Sequence, residues 1–327
     1  MVVYEMINRR ERKGFRRGRR GKKLCAPLRI PPRPLRLIIL IVMLTCALPI
    51  MSQTKLLETG RATKLAELPK TVSDVRVVSY NIRWRTGNEL QQIARWLKDK
   101  NDLPRIVALQ EVDRAKKRTG KVNNARALAE ELGLYYAWAA PPPPKNDDAA
   151  EEETGVELLS SFPLKDVIRI VLPHTGPAGR SRVALGATVD VGDVEVRIYS
   201  VHSETRIPVT DKMEQLQTVI DDANRFPKTR AIIMGDFNTW ELPAVESTRQ
   251  LFTAAGFDTP FSDDDTTFLR KVPLLGIKLK LDWIWLRGVS VQTYDIDRTI
   301  AVSDHFPLGV VATPQVSPGR SSPSISK

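Results

Sequence analysis

The chain is poor in the residues that most readily declare a chemistry. It has two cysteines and three histidines in 327 residues. Both cysteines, Cys25 and Cys46, stand near the N-terminus. The remainder therefore forms no internal disulfide, offers no thiol nucleophile and builds no cysteine-ligated zinc site. Neither a P-loop nor a Gly-x-Gly-x-x-Gly fingerprint occurs, which argues against nucleotide hydrolysis of the P-loop type and against a dinucleotide cofactor. Excess positive charge is also missing from most of the chain. The net charge is +12, but residues 1–36 hold 13 of the 50 Lys/Arg and 2 of the 38 Asp/Glu. The other 291 residues keep 37 basic and 36 acidic groups, so the folded part carries no overall nucleic-acid footprint.

A long membrane-spanning run is absent as well. Residues 37–51 are apolar and uncharged but number only 15, against the roughly 20 of a comfortable span. A basic segment followed by a short apolar one is the pattern of a secretory signal. Lys/Arg on its N-terminal side predicts a cytoplasmic tail and an exported remainder. No small-x-small cleavage site follows, so a cleaved signal and an uncleaved membrane anchor both stay open. The expected location is extracytoplasmic: secreted, periplasmic or anchored through residues 37–51. Residues 52–73 read as a polar linker, 74–313 as the folded domain and 314–327 as a disordered tail rich in Pro, Ser and Gly.

Within the domain, strand and helix patterns alternate. Residues 75–80, 106–109, 156–161, 183–191, 194–201, 231–234, 281–286 and 307–312 read as strands. Helices fit residues 88–99, 123–132, 210–225 and 244–255, with Gly133 as a stop signal. Gly192-Asp193 between two apolar runs predicts a hairpin. Residues 141–153, four prolines followed by dense acidic charge, read as an exposed loop insertion. Directly joined strands favour an α/β sandwich of mixed sheets over a purely parallel fold.

Six short segments then place polar residues at or near strand ends. They are Ser79-Tyr80-Asn81-Ile82-Arg83, Leu109-Gln110-Glu111-Val112-Asp113, Ser200-Val201-His202-Ser203, Gly235-Asp236-Phe237-Asn238, Leu281-Asp282-Trp283 and Ser303-Asp304-His305. Polar groups in core strands are costly unless paired or ligating, and six cases call for a shared explanation. Phosphoester hydrolysis supplies one: charge neutralisation, an activated water and a protonated leaving oxygen. Glu111 suits a hard divalent cation, with Asn81 beside it to ligate or orient. Asp236 can take a proton from water, and Asn238 can hold that water or a phosphoryl oxygen. His305 supplies a donor to the phosphate, oriented by a carboxylate such as Asp282. His202 is the other imidazole for acid–base work. His174 lies among loop residues without a partner motif and reads as a surface histidine. Packing is the simpler account of Trp283 and Trp285, with base stacking as the alternative; residues 114–118 form a basic run that reads as a solvated loop, with steering of a polyanion as the alternative.

Taken in order, these segments resemble the endonuclease/exonuclease/phosphatase superfamily, the DNase I-like fold. The matching motifs are Tyr80-Asn81-Ile82-Arg83, the Gln110-Glu111 pair, Gly235-Asp236-Phe237-Asn238, Asp282 before an aromatic, and Ser303-Asp304-His305. The likeness covers about residues 74–312. It implies a four-layer sandwich of two facing mixed β-sheets flanked by helices, and a phosphoesterase dependent on Mg²⁺ or Mn²⁺. It also implies that Asp304 joins Glu111 near the metal and that His305 pairs with Asp282. Arg182, before Val183-Ala184-Leu185, resembles a position where related bacterial members carry Arg, and a phosphate contact stands beside a solvated strand-end Arg. Val156 and Glu157 depart from a Gly-Asn-Ala-like stretch on the substrate side. The expected partner is a phosphoester substrate: nucleic acid, a phospholipid head group or an inositol phosphate. A monomer is expected. A membrane-tethered binding protein without turnover is the rival of another class, and the filled catalytic positions count against it.

Overall fold

The computed structural model describes residues 56–99, 103–143, 153–226, 229–272 and 275–315. The basic tail, the apolar segment 37–51, most of the 141–153 insertion and nearly all of the 314–327 tail lie outside the described residues.

Two mixed sheets carry the fold. The first contains β1 (Leu57–Arg61), β2 (Val75–Asn81), β3 (Arg105–Arg114), β4 (Tyr135–Ala139), β5 (Glu153–Ser160), β13 (Val289–Ile296) and β14 (Leu308–Pro314), in the order β1-β4-β5-β3-β2-β14-β13. The second contains β6 (Lys165–Val171), β7 (Val183–Val191), β8 (Val194–His202), β9 (Arg230–Asp236) and β12 (Asp282–Arg287), in the order β12-β9-β8-β7-β6. A separate hairpin pairs β10 (Phe268–Val272) with β11 (Leu275–Leu279). The helices are α1 (Gly87–Asp99), α2 (Asn124–Leu132), α3 (Val209–Asn224) and α4 (Leu242–Ala254).

Alternation of side chains explains the layering. Val75 and Val77 of β2 face the second sheet, while Val78 and Tyr80 face α1 and α2. In β9, Ile232 and Met234 join the core between the sheets, while Ala231 and Ile233 pack under α3 and α4. A period of two with both faces covered demands apolar residues throughout, as these strands provide. Among the described residues three buried clusters follow, one between the sheets and one beneath each helical layer. The result is a four-layer α/β sandwich. Each sheet holds one parallel pair, β2 with β3 and β8 with β9, bridged by α1 and α3 respectively. A parallel pair needs such a crossover.

Local signals behave as their chemistry dictates. Asn123 caps α2 by accepting from the Arg126 N–H at 3.1 Å, and Gly133 ends it in the left-handed region at φ 68°. The turn at Gly192-Asp193 joins β7 to β8, with Val191 opposite Val194. One boundary needs correction. Residues 52–73 are not wholly a linker, because Leu57–Arg61 forms an edge strand on β4. Trp283 and Trp285 are fully buried and stacked on each other at 5.2 Å, so they are packing residues and present no platform for bases.

Candidate functional site

The topology brings all six polar segments to one rim. Asn81 ends β2 and Glu111 lies near the end of its parallel partner β3. His202 ends β8 and Asp236 ends its parallel partner β9. Asp282 opens β12 opposite Asp236, because those strands are antiparallel. Ser303-Asp304-His305 precedes β14, which runs antiparallel to β2. C-terminal ends of parallel pairs and N-terminal ends of antiparallel neighbours therefore meet.

Backbone irregularities aim the side chains. Glu111 sits in a bulge of the β3–β5 ladder, between Gln110 opposite Val156 and Val112 opposite Gly155, with φ 57°. The bulge turns Glu111 toward a cavity while Gln110 and Val112 stay buried. Arg83, Trp84 and Asn238 also have positive φ. Non-glycine residues in that region are held by their surroundings, and such strain gathers at functional sites. Gly235, at φ 147°, lies so close to β8 that a Cβ would fall 2.0 Å from the Val201 carbonyl oxygen.

The centre of the site is the buried carboxylate of Asp236. Its Oδ2 accepts from Asn81 Nδ2 at 2.9 Å and faces His202 Nε2 at 3.6 Å and His305 Nε2 at 3.9 Å. Its Oδ1 accepts from the Asn238 backbone N–H at 3.0 Å. Burial outweighs these donors and pushes its pKa up to about 7. His305 Nδ1 meets both Asp282 oxygens at 2.9 and 3.2 Å. Burial alone would lower the His305 pKa, but Asp282 and Asp236 together raise it to about 10. His202 goes the other way: burial and then Arg182 hold it well below the ordinary histidine range.

The remaining predicted residues surround this centre. Asn81 Nδ2 also lies 3.4 Å from Glu111 Oε1, and its Oδ1 accepts from the Arg83 N–H at 3.0 Å. Asp304 Oδ2 pairs with Arg83 Nη1 at 2.8 Å. Asn238 is pinned on three sides: its Nδ2 donates to Ser203 O, its Oδ1 accepts from Thr205 Oγ1, and its carbonyl accepts from the buried Lys212. Arg182 bridges Glu204 and His202. His174 stands apart, paired with Glu214 at 2.6 Å on the surface. Glu204 and Lys212 escaped the sequence reading. Glu204, two residues beyond His202, is an acid in a strand-end turn, which is the one signal it gave; Lys212 reads as an ordinary helical lysine.

Asp236, Asp282 and His305 have ligand atoms within 4.8 Å of one another. Glu111 and Asp304 add two partly exposed carboxylates on the same cavity. That cavity, about 360 Å³, is also lined by Trp240, Phe268 and Ile277. A second of about 400 Å³ adjoins it, sharing Glu111, Arg182 and His202 and continuing to Lys116, Arg118 and Arg180.

A four-layer sandwich with carboxylates, imidazoles and amides converging at the rim of both sheets is the phosphoesterase fold of the DNase I type. The chain belongs to the Endonuclease/Exonuclease/phosphatase family, whose profile matches residues 78–305. Solved structures agree on the fold. An endonuclease/exonuclease/phosphatase from Beutenbergia cavernae is 18% identical, with a TM-score of 0.59 over 74% of this chain and 72% of that one. The human Nocturnin catalytic domain, with bound sulfate, is 18% identical with a TM-score of 0.57 over 74% and 93%. A mannosyl-6-phosphatase from Bacteroides thetaiotaomicron is 18% identical with a TM-score of 0.54 over 73% and 99%. No curated protein matches the sequence.

Proposed function

We propose that this protein is an exported or membrane-anchored, divalent-metal-dependent phosphodiester hydrolase. The observation that carries the reading is the ring of nitrogen atoms from Asn81, His202 and His305 about the buried Asp236 oxygen. A carboxylate with its pKa near 7 takes a proton from water at neutral pH while retaining enough basicity to drive the transfer. His305, charged at neutral pH and oriented by Asp282, donates from Nε2 to a phosphoryl oxygen. Asn238 is fixed in place, and its second amide hydrogen remains to be offered to the phosphoryl group or the water. Cavities on both sides of His202 and Glu111 leave room for an ester group on each side of the phosphorus, which favours a diester over a monoester.

The donor set fits Mg²⁺ or Mn²⁺. Glu111 and Asp304 present hard oxygen atoms on an open cavity, and Mg²⁺ takes one or two carboxylates and keeps waters. Glu111 would hold the ion, Asp304 would stand near it, and Asn81 would orient the carboxylates through its amide. When bound, the ion neutralises charge on the phosphoryl oxygens. In the buried trio, His305 Nδ1 is already committed to Asp282, which suits proton transfer better than ligation.

The test is hydrolysis of bis-p-nitrophenyl phosphate and plasmid DNA by the full chain. Asp236→Asn and His305→Ala should each lower kcat by roughly 10²–10⁴-fold without loss of folding, and excess EDTA should abolish activity. Full activity in both variants, or in EDTA, sinks the mechanism. Export is tested by fractionation: an unprocessed chain found wholly in the cytosol overturns it.

A further inference from the structure

Glu204 is fully buried, yet it belongs to no motif used so far. Its carboxylate accepts from Arg180 Nε and Nη2 at 3.2 and 3.0 Å, from Arg182 Nε at 3.0 Å, and from the backbone N–H groups of Thr205 and Arg206 at 3.0 and 3.2 Å. The α3 residue Gln215 accepts from the Glu204 N–H at 2.9 Å. Gly176 makes room for the carboxylate, since a Cβ there would lie 2.5 Å from Glu204 Cδ. Glu204 is thus held from three directions, and it holds Arg182 in turn.

Arg182 Nη1 lies 3.2 Å from His202 Nδ1. A guanidinium has five N–H donors and no acceptor, so Nδ1 must supply the lone pair. A neutral imidazole that accepts at Nδ1 carries its proton on Nε2. That nitrogen faces Asp236 Oδ2. His305 reaches the same orientation by the opposite device, with Nδ1 donating to Asp282 and Nε2 toward Asp236. Two imidazoles therefore converge on one carboxylate, one locked by a cation and the other by an anion. The depressed pKa of His202, caused by burial and then by Arg182, agrees with this arrangement.

We propose that Glu204 is a positioning residue: by fixing Arg182 it holds His202 as the neutral Nε2–H imidazole, a hydrogen-bond donor to the substrate and not a proton acceptor. The role in turnover rests on the phosphoester reading; the tautomer does not. Without Glu204, the Arg182 guanidinium would lose its buried counter-ion, leaving Glu111, whose charge it already feels, as the nearby carboxylate.

The experiment uses the full chain labelled with ¹⁵N-histidine, which has three imidazoles to assign, and long-range ¹H–¹⁵N spectra that report which ring nitrogen is protonated. The wild type should show His202 protonated at Nε2 and bare at Nδ1 at neutral pH. Glu204→Gln should lose that single tautomer and lower kcat by roughly 10–100-fold, the size typical of an outer partner that orients an imidazole, with a smaller change in KM. A wild-type His202 protonated at Nδ1 overturns the proposal, and this holds even if Glu204→Gln fails to fold. So does a folded Glu204→Gln chain whose His202 tautomer or kcat is unchanged. A wild type with the expected tautomer but no phosphoester hydrolysis overturns the reaction assignment, and with it the role of Glu204, on a separate readout.

Discussion

Glu157 offers the sharpest test of the packing described above. It lies in β5, opposite Leu109 and Trp138, and points into the core beneath α1 and α2. It is fully buried, and neither carboxyl oxygen has a hydrogen-bond partner among the described residues. Burial, reinforced by the charge of Glu58, raises its pKa well above the ordinary 4.5. The folded state therefore keeps a proton that the unfolded chain releases. Its contribution is fully present below pH 4.5 and is lost as pH rises toward the folded pKa, at up to about 1.4 kcal/mol per pH unit for one proton. Glu157→Gln removes the ionisation and keeps the shape. Its stability relative to wild type should climb as pH rises above 4.5, with a slope approaching that limit. Glu157→Met also removes the unpaired polar group and should add about 1–3 kcal/mol at pH 7, or about 2–4 °C in Tm per kcal/mol for a domain of this size. Urea unfolding at four pH values measures both. Parallel curves for wild type and Glu157→Gln across those values would refute the reasoning, because the folded protein would then hold the carboxylate ionised.

Two further substitutions probe the scaffold. Lys280 is buried with its ammonium 4.4 Å from the Trp283 ring, and burial lowers its pKa to about 8. Its penalty is present below pH 8 and fades as pH rises to 10.5, so Lys280→Met should stabilise the protein at pH 7 in urea unfolding and do so less at pH 10. Gly235→Ala meets both a φ of 147° and the Val201 carbonyl; it should cost at least about 3 kcal/mol, measured as a fall in the urea midpoint or as loss of soluble protein.

The contrast between β9 and β13 explains what could be read in advance. Ala231-Ile232-Ile233-Met234 is covered on both faces, so an unbroken apolar run marks it. Val289–Ile296, Lys165–Val171 and Leu57–Arg61 are edge strands with mostly half-exposed or exposed residues, and their mixed composition conceals them. In the site, Asn81, Asp236 and His305 announced themselves because each interrupts or borders an apolar run. The direction in which Glu111 points could not be read, because it depends on a bulge that only pairing with β5 defines. Glu204 was hidden for a related reason: its partners Arg180 and Arg182 are more than twenty residues away, and nothing local signals their meeting.

The position of β14 has a consequence for how the protein comes into being. Among the described residues it is the last strand, yet it lies between β2 and β13, inside the sheet. Asp304 and His305 enter just before it, and Ser303 Oγ donates to the Asn81 carbonyl. Until residue 314 has left the ribosome, β2 has an open edge and the rim lacks two of its polar groups. A growing chain thus exposes a strand edge prone to mispairing. Closure of the sheet and completion of the rim coincide, so a product truncated before β14 has neither the full set of polar groups nor the protected edge.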